Sequence, residues 1–431
     1  MTQGAPSAAV VSVGNELLYG ETVDTNSAWL GRELTGLGIS VVRRFTVGDI
    51  AADIEWAVRD AARISDVVLV TGGLGPTPDD LTKPVVAGAF GLALLPNAEI
   101  LATLERRYGA RGLDEVPPAA RGQADVPEGA IALENPEGTA PGILLRTPEA
   151  MIVLLPGVPR ELKAIVNGAL RPHLSAILPA GTDRIWHHVV HTTGIAESQL
   201  TRRIEERLAA VDRADRDDVA LAYLPDLYGV DLRLSARGRS IEDAMTRIQP
   251  LLVAIEDVVA PYRFESATGD LAEAVNRELR ARGMTIATAE SCTGGLIAKR
   301  ITDLAGSSEI FVGGVVAYSN EVKVEYVGVR AQDIEKHGAV SETVARQLAE
   351  GITLRLGADV GIGITGIAGP GGGSEEKPVG TVWIASCVRG DVRSFAGRYS
   401  GDRDAVRARA GQAALADVYR RLLDVPGGMN P

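Results

Sequence analysis

The chain has 431 residues, 45% hydrophobic and 23% charged, the balance of an ordinary soluble globular protein, and at roughly 150 residues per domain about three domains are expected. Its 44 Lys and Arg against 56 Asp and Glu leave a net charge of -12, which disfavours a protein built to coat nucleic acid while leaving room for a local basic pocket. Two cysteines, Cys292 and Cys387, make neither a disulfide framework nor zinc spacing; no apolar run nears the roughly 20 residues of a membrane span, and residues 1–9 lack a basic start, so a cytoplasmic protein is expected.

Residues 10–13 form a short apolar run ending at Gly14 and read as a strand. Asp24-Thr25-Asn26-Ser27 offers N-capping side chains for a helix through Leu34 that stops near Gly36 and Gly38. Residues 39–46 alternate as a strand, 50–64 carry a helical pattern, 66–70 is a buried-strand candidate running into Gly72-Gly73, and 151–155 is another ending at Pro156-Gly157. Repetition of strand, Gly-rich loop and helix predicts an α/β sheet covered on both faces, with ligand loops after Val13, Val70 and Leu155. The stretch 182–261 reads differently, as a small α+β module with strands at 185–192 and 230–236 and helices at 197–210 and 241–255. From 268 the α/β grammar returns: a helix at 271–282, strands at 285–289, 313–318 and 360–364, a hairpin at 380–388 and 392–399, and a closing helix at 404–423.

In the first domain, Thr71-Gly72-Gly73-Leu74-Gly75-Pro76-Thr77-Pro78-Asp79-Asp80-Leu81-Thr82 follows a buried strand and precedes a helix. Gly72, Gly73 and Gly75 let the backbone approach a ligand, and amides at the helix start can hold an anion. Asp79 and Asp80 suit a hard cation such as Mg²⁺ bound together with phosphates, and Glu16 and Asp24 lie beyond the first strand on the same rim. The competing reading is that Asp24, Asp79 and Asp80 only cap helices and turns.

In the last domain, Ala287-Thr288-Ala289-Glu290-Ser291-Cys292-Thr293-Gly294-Gly295-Leu296 places a strand, a turn and a helix in succession, with a nucleophile beside unpaired helix-start amides that can stabilise an oxyanion. Cys292 is the better intrinsic nucleophile but has no evident His partner; Ser291 needs a base, and Tyr318-Ser319-Asn320-Glu321-Val322-Lys323 offers Lys323. A lysine base must be neutral, which calls for desolvation or a cationic neighbour. The opposing reading is that Ser291 is a helix cap. Gly363-Ile364-Thr365-Gly366-Ile367-Ala368-Gly369-Pro370-Gly371-Gly372-Gly373 is a third strand-end loop able to cradle a phosphate, with Arg398, Arg403 and Arg407 behind it. In the middle module, His187 and His191 share a strand face near His188, but no carboxylate follows at ligand spacing, and a spacer or dimerisation role is favoured over metal.

Gly14-Asn15-Glu16-Leu17-Leu18, the Asp24 motif and the Thr71 to Thr82 loop resemble the molybdopterin-binding fold, and together with the C-terminal third the chain resembles the competence/damage-inducible protein A (CinA) family. The resemblance implies an α/β multidomain protein: a three-layer molybdopterin-binding-like domain at 1–175, a KH-type α+β module at 176–265 without a GXXG loop, and an α/β amidase domain at 266–431. It implies a C-terminal nicotinamide-nucleotide amidase in which Ser291 attacks the carboxamide of nicotinamide mononucleotide, Lys323 is the general base and Tyr318 orients the proton network or the ring. Thr293, Gly294, Asn320, Thr365, Gly366, Gly369, Gly371, Arg398 and Arg403 become substrate-binding candidates, and no metal is needed there. For the first domain it implies hydrolysis of ADP-ribose with a divalent metal (Mg²⁺ or a similar transition metal) at Asp24, Asp79 and Asp80, with Gly72, Gly73 and Gly75 at the substrate. Lys83-Pro84 stands where the family pattern has Arg followed by an acidic residue. The implied partners are small nucleotides and a second copy in a homodimer, with neither membrane nor nucleic acid. A non-catalytic competence or repair protein and a molybdopterin-binding protein are the alternatives.

Overall fold

The computed structural model describes residues 6–423 apart from 111, 114, 180, 182 and 213–215; position 182, where the sequence places the start of the middle module, and residues 1–5 of the N-terminal stretch lie outside the described residues. By packing, the chain divides into two compact units, one of residues 1–186 with 237–244 and one of residues 187–236 with 245–431.

The first unit is built on a six-stranded sheet in the order β2-β1-β3-β8-β7-β6. Its strands are β1 (Ser7–Val13), β2 (Ser40–Val47), β3 (Val67–Thr71), β6 (Ile131–Leu133), β7 (Gly142–Arg146) and β8 (Met151–Leu155), while β4 (Leu94–Pro96) and β5 (Asp125–Pro127) pair separately. The sheet is mixed: β2, β1, β3 and β8 run parallel, and β7 and β6 are antiparallel additions. Alternate residues of β1 face opposite sides. Ala9 and Val11 join Ile54 and Val58 of the helix Ala51–Ile64, whereas Ala8 and Val10 join Leu30 and Leu34 of the helix Thr25–Leu37. Burial on both faces is why β3, β8 and residues 8–11 of β1 read as apolar runs. The helix Thr25–Leu37 begins where expected, Asp24 accepting from the Ser27 amide, and ends on Gly38 at φ 90°, a left-handed conformation that suits glycine.

A four-stranded sheet, order β10-β11-β9-β12, all but residues 184–186 and 237–238 of it in the second unit, joins β9 (Arg184–Thr192), β10 (Val219–Pro225), β11 (Val230–Gly238) and β12 (Arg263–Phe264). A five-stranded sheet follows in the order β14-β13-β15-β16-β17, from β13 (Ile286–Glu290), β14 (Phe311–Val316), β15 (Val360–Gly366), β16 (Thr381–Val388) and β17 (Asp391–Arg398). Its first three strands are parallel and the closing hairpin antiparallel. One face packs Ile362 and Ile364 against Leu271, Val275 and Val406 of the helices Leu271–Ala281 and Arg403–Leu422. The other receives the helix Glu342–Leu356, absent from the elements expected above although Val344, Leu348 and Ile352 recur on its buried face at helical spacing. That helix lies so close to β15 that a Cβ on Gly363 would come within 2.3 Å of the Ala349 amide.

Candidate active sites

In the five-stranded sheet, Glu290 at the end of β13 stands opposite Val316 of β14 on one side and Ile364 of β15 on the other. The loops leaving these three strands therefore converge at their carboxyl ends, where open α/β sheets bind ligands. Ser291 is the first residue beyond β13, with its amide donating to the Ile364 carbonyl at 3.0 Å. Gly294 and Gly295, both at positive φ, then turn the chain into the helix Leu296–Thr302.

The expectation of free helix-start amides beside Ser291 is corrected here. The buried Glu290 side chain accepts from the amides of Gly295 (3.0 Å), Ile297 (3.1 Å) and Ala298 (2.8 Å), so the helix start is already capped by a carboxylate. Nothing in the sequence marked Glu290 beyond its place in the motif, because its role depends on folding back over seven residues. The amides of Cys292 and Thr293 make no hydrogen bond to a backbone carbonyl; both are directed at the Cys292 sulfur. Cys292 itself is 6% exposed within the core, and burial pushes its thiol up to about 12, which leaves almost no thiolate at neutral pH. Of the two adjacent nucleophiles, only Ser291 keeps a chemical case.

Lys323 begins a wide helical turn after Ser319, whose hydroxyl caps the short helix Asn320–Val322. Its side chain is 2% exposed, and Nζ donates to the carbonyls of Tyr318 (3.0 Å) and Ser319 (3.4 Å), with no salt bridge among the described residues. Burial holds this amine below its ordinary value, opposed by the neighbouring Cys292 and Glu321. Ser291 and Lys323 thus lie on loops that follow adjacent strands, and no hydrogen bond joins them.

The remaining candidates separate. The Arg403 guanidinium donates to the Gly369 carbonyl (2.7 Å) and the Tyr318 hydroxyl (3.0 Å), which brings three of them together. Tyr318 touches the lysine through its carbonyl, not its phenol, which is exposed. Thr365 is buried and spends its hydroxyl proton on the Ala339 carbonyl at 2.9 Å, so it is not free to donate to a substrate. Gly366 packs against Val382, and Gly371 borders open space. Asn320 and Arg398 are exposed and make no side-chain hydrogen bond or ion pair among the described residues. Thr293 is buried with its hydroxyl unpartnered, and its carbonyl receives Arg407 Nη2 at 2.8 Å; Gly294 lies under the same guanidinium. Arg407 is therefore the arginine that touches the Ser291 loop.

The first unit holds a cavity of about 490 Å³ at the carboxyl ends of β1, β3 and β8, lined by the expected Asp24, Asp79, Asp80, Gly72, Gly73 and Gly75. Glu16, Asp49 and Glu161 line it too, and among the described residues no Lys, Arg or His does. Asp24 is engaged on both oxygens, from Ser12 Oγ (2.6 Å) and the Ser27 amide (2.9 Å). Burial raises its carboxyl, but these hydrogen bonds outweigh that and hold it below its ordinary value. Asp80 accepts from the Thr77 amide (2.8 Å) and hydroxyl (2.5 Å), whereas Asp79 is exposed. Capping and lining thus coexist in Asp24 and Asp80. Among the described residues no three His, Cys, Asp or Glu side chains are placed to hold a metal by themselves. The all-oxygen donor set fits a hard cation that keeps waters and shares phosphate ligands, and does not fit a closed transition-metal chelate. Lys83, at the position departing from the family pattern, is absent from the lining; its amine donates to the carbonyls of Gly122 and Asp125.

In the middle module His187 meets Ser235 (2.8 Å), and His191 meets Asp231 (2.8 Å) while stacking on Phe264, which are structural roles. No helix among the described residues is long and apolar enough to cross a membrane.

Comparison with known proteins agrees with this architecture in order along the chain. Residues 9–176 match a family described as "Probable molybdopterin binding domain", 187–264 the "Damage-inducible protein CinA KH domain" and 268–422 the "CinA C-terminal domain". A CinA-like protein of Gemmatimonas aurantiaca is 46% identical over 96% of this chain and 95% of its own length. A CinA-like protein of Salinibacter ruber is 41% identical over 96% of this chain and 99% of its own. The crystal structure of a CinA protein with unknown function from Thermoplasma acidophilum is 38% identical, covering 40% of this chain and 99% of that one, with a TM-score of 0.38. With such identity sustained over almost its whole length, the chain belongs to the CinA family.

Proposed function

We propose that the second unit is a nicotinamide-nucleotide amidase and the first a metal-dependent ADP-ribose hydrolase, both acting in pyridine-nucleotide salvage. The observation that carries the amidase reading is Lys323, an amine almost wholly buried and held by two carbonyls with no carboxylate bonded to it. Such an amine gives up its proton more readily than one in water, and it stands on the loop next to Ser291. In this reading a small closure on substrate brings the two groups into hydrogen-bond reach, since catalytic hydrogen bonds often tighten only in the complex. Ser291 Oγ attacks the carboxamide carbon while its proton passes to Lys323 Nζ. The C–N bond breaks as that proton is returned to the departing ammonia. Water, deprotonated by the same amine, releases nicotinic acid mononucleotide and restores the serine. The Cys292 and Thr293 amides, turned from the Cys292 sulfur, would serve the oxyanion, and Arg403, beside Tyr318 and Gly369, and Arg398 would serve the phosphate. No metal takes part in these steps. Ammonia release from nicotinamide mononucleotide tests the reading: wild type should release it and Ser291→Ala should not, and equal release by that variant removes Ser291 from the mechanism.

For the first unit, Asp79, Asp80 and Asp24 would hold a hard cation such as Mg²⁺ together with the substrate's phosphates; when bound it supplies charge neutralisation and an activated water. Gly72, Gly73 and Gly75 let the pyrophosphate approach the backbone. ADP-ribose cleavage should require divalent metal and fall in Asp80→Ala; molybdopterin binding with no such cleavage would favour a pterin-binding role instead. A homodimer acting on small nucleotides, without nucleic acid or membrane, completes the proposal, and light scattering of the purified chain checks the dimer.

A further inference from the structure

The helix Leu296–Thr302 that follows Ser291 carries Arg300 near its far end, and this arginine is 5% exposed. Arg300 Nη2 donates to Asp270 (2.6 Å) and to the Gln412 amide oxygen (2.8 Å). The Tyr228 ring lies over the same guanidinium, its centre 4.4 Å from the guanidinium carbon. Gln412 Nε2 donates to the Thr193 hydroxyl (3.1 Å), and that hydroxyl donates to the Tyr228 carbonyl (2.8 Å). Arg300, Gln412, Thr193 and Tyr228 thus close a ring of contacts, two residues from the middle module and two from the C-terminal domain, all within the second unit. Tyr228 is fixed in its own turn, because Asp226 accepts from its amide (2.7 Å) and from that of Gly229 (2.8 Å). The Thr193 carbonyl receives Arg420 of the closing helix at 3.1 Å. Apolar contacts could hold a mere spacer without the desolvation cost of burying a guanidinium; what the guanidinium adds is a fixed, directional geometry.

We propose that Tyr228 and Thr193 are positioning residues for Ser291, acting through Arg300, so that the middle module sets where the nucleophile stands when the site closes on Lys323. The helix between them is about 10 Å long and contains neither Gly nor Pro, so it moves as one rod. Its start holds the Glu290 carboxylate next to Ser291, and its far end is held by the ring of contacts. A shift at Arg300 is therefore passed to the Ser291 turn. The inference rests on the amidase reading of that serine.

Single-turnover ammonia release from nicotinamide mononucleotide, with the full chain in excess, tests this, because the saturating rate constant does not depend on the fraction of chain that is folded. Tyr228 is exposed, so its truncation leaves the core intact. Tyr228→Ala should lower the rate constant by roughly 10- to 100-fold, the effect of misplacing a reacting group by up to about 1 Å. The half-saturating concentration should hold, since Arg403 and Arg398 lie outside the helix. Tyr228→Phe, which keeps the ring, should restore the rate, and Thr193→Val, which can bond neither Gln412 nor the Tyr228 carbonyl, should lower it as Tyr228→Ala does. Hydrogen exchange of peptides covering 291–302 should quicken in Tyr228→Ala and Thr193→Val, with those of β16 and β17 unchanged. Wild-type rate and protection in both variants overturn the proposal. So does a lowered rate with 291–302 fully protected, or an equal loss in Tyr228→Phe. No ammonia release by wild type removes the amidase reading alone if exchange at 291–302 still quickens in the variants, and removes both if it does not.

Discussion

Replacing Glu290 with Gln should loosen the start of the helix that follows Ser291. Oε2 accepts from the amides of Gly295 and Ile297 and Oε1 from that of Ala298, at 2.8 to 3.1 Å. Hydrogen bonds to a charged group contribute about 1.5–3 kcal/mol each, and neutral ones about 0.5–1.5 kcal/mol. In the amide variant one oxygen keeps two of the three donors as neutral bonds, losing about 1 kcal/mol on each. The third donor faces an NH₂ group, so that bond is lost outright and an amide is left buried and unpaired. The sum is about 3–5 kcal/mol, and about 3 kcal/mol alone corresponds to roughly a hundredfold in an opening equilibrium at about 1.36 kcal/mol per tenfold. Hydrogen exchange followed by mass spectrometry on peptides covering 291–302 reads this locally, without needing the two units to unfold together. Exchange there should speed up by on the order of 10²-fold or more, with peptides from β16 and β17 changing far less, and ammonia release should fall because Ser291 adjoins the disturbed carboxylate. Unchanged protection across 291–302 would refute the view that Glu290 clamps this turn.

Lys323 sets two pH dependences. Its folded pKa lies below its unfolded one, so the folded state binds the proton less tightly and burial destabilises the fold wherever the amine is charged. That penalty is fully present below the folded pKa and fades as pH rises from there towards 10.5. Lys323→Met should therefore stabilise the second unit at neutral pH in urea unfolding, with the advantage shrinking by about 1.4 kcal/mol per pH unit across that window. Amidase activity of the wild type should rise with pH through the same lowered pKa, because the base works only when neutral; a flat or falling limb would exclude Lys323. Cys292→Ala should keep most ammonia release and cost about 1–2 kcal/mol of stability as a small core truncation, whereas loss of turnover in a folded variant would reinstate the thiol. Removing divalent metal from the first unit should abolish ADP-ribose binding as well as cleavage, since six carboxylates and, among the described residues, no basic side chain leave a diphosphate unneutralised; calorimetry with chelator present checks this.

What the chain determines without its tertiary structure is whatever depends on near neighbours. The apolar runs at 151–155 and 360–364 are strands because burial on both faces tolerates no polar residue, and both are found with hardly a shift. The Asp24 cap, the glycine stops and the three loops at strand ends are also local, which is how Ser291 and the Asp79–Asp80 pair can be singled out. Tertiary structure alone decides which chemistry those residues keep. Cys292 and Ser291 are adjacent in sequence, yet packing against distant helices protonates the thiol and leaves the hydroxyl as the candidate. Thr365 reads as a substrate-binding residue until its hydroxyl is found donating to the Ala339 carbonyl, and Lys83, which departs from the family pattern, is found bracing the turn at Gly122 and Asp125. Arg407 reaches the Ser291 loop from more than a hundred residues away. Burial and pairing between segments far apart in the chain set the charge, the free valences and the reach of each side chain, and no pattern of nearest neighbours encodes them.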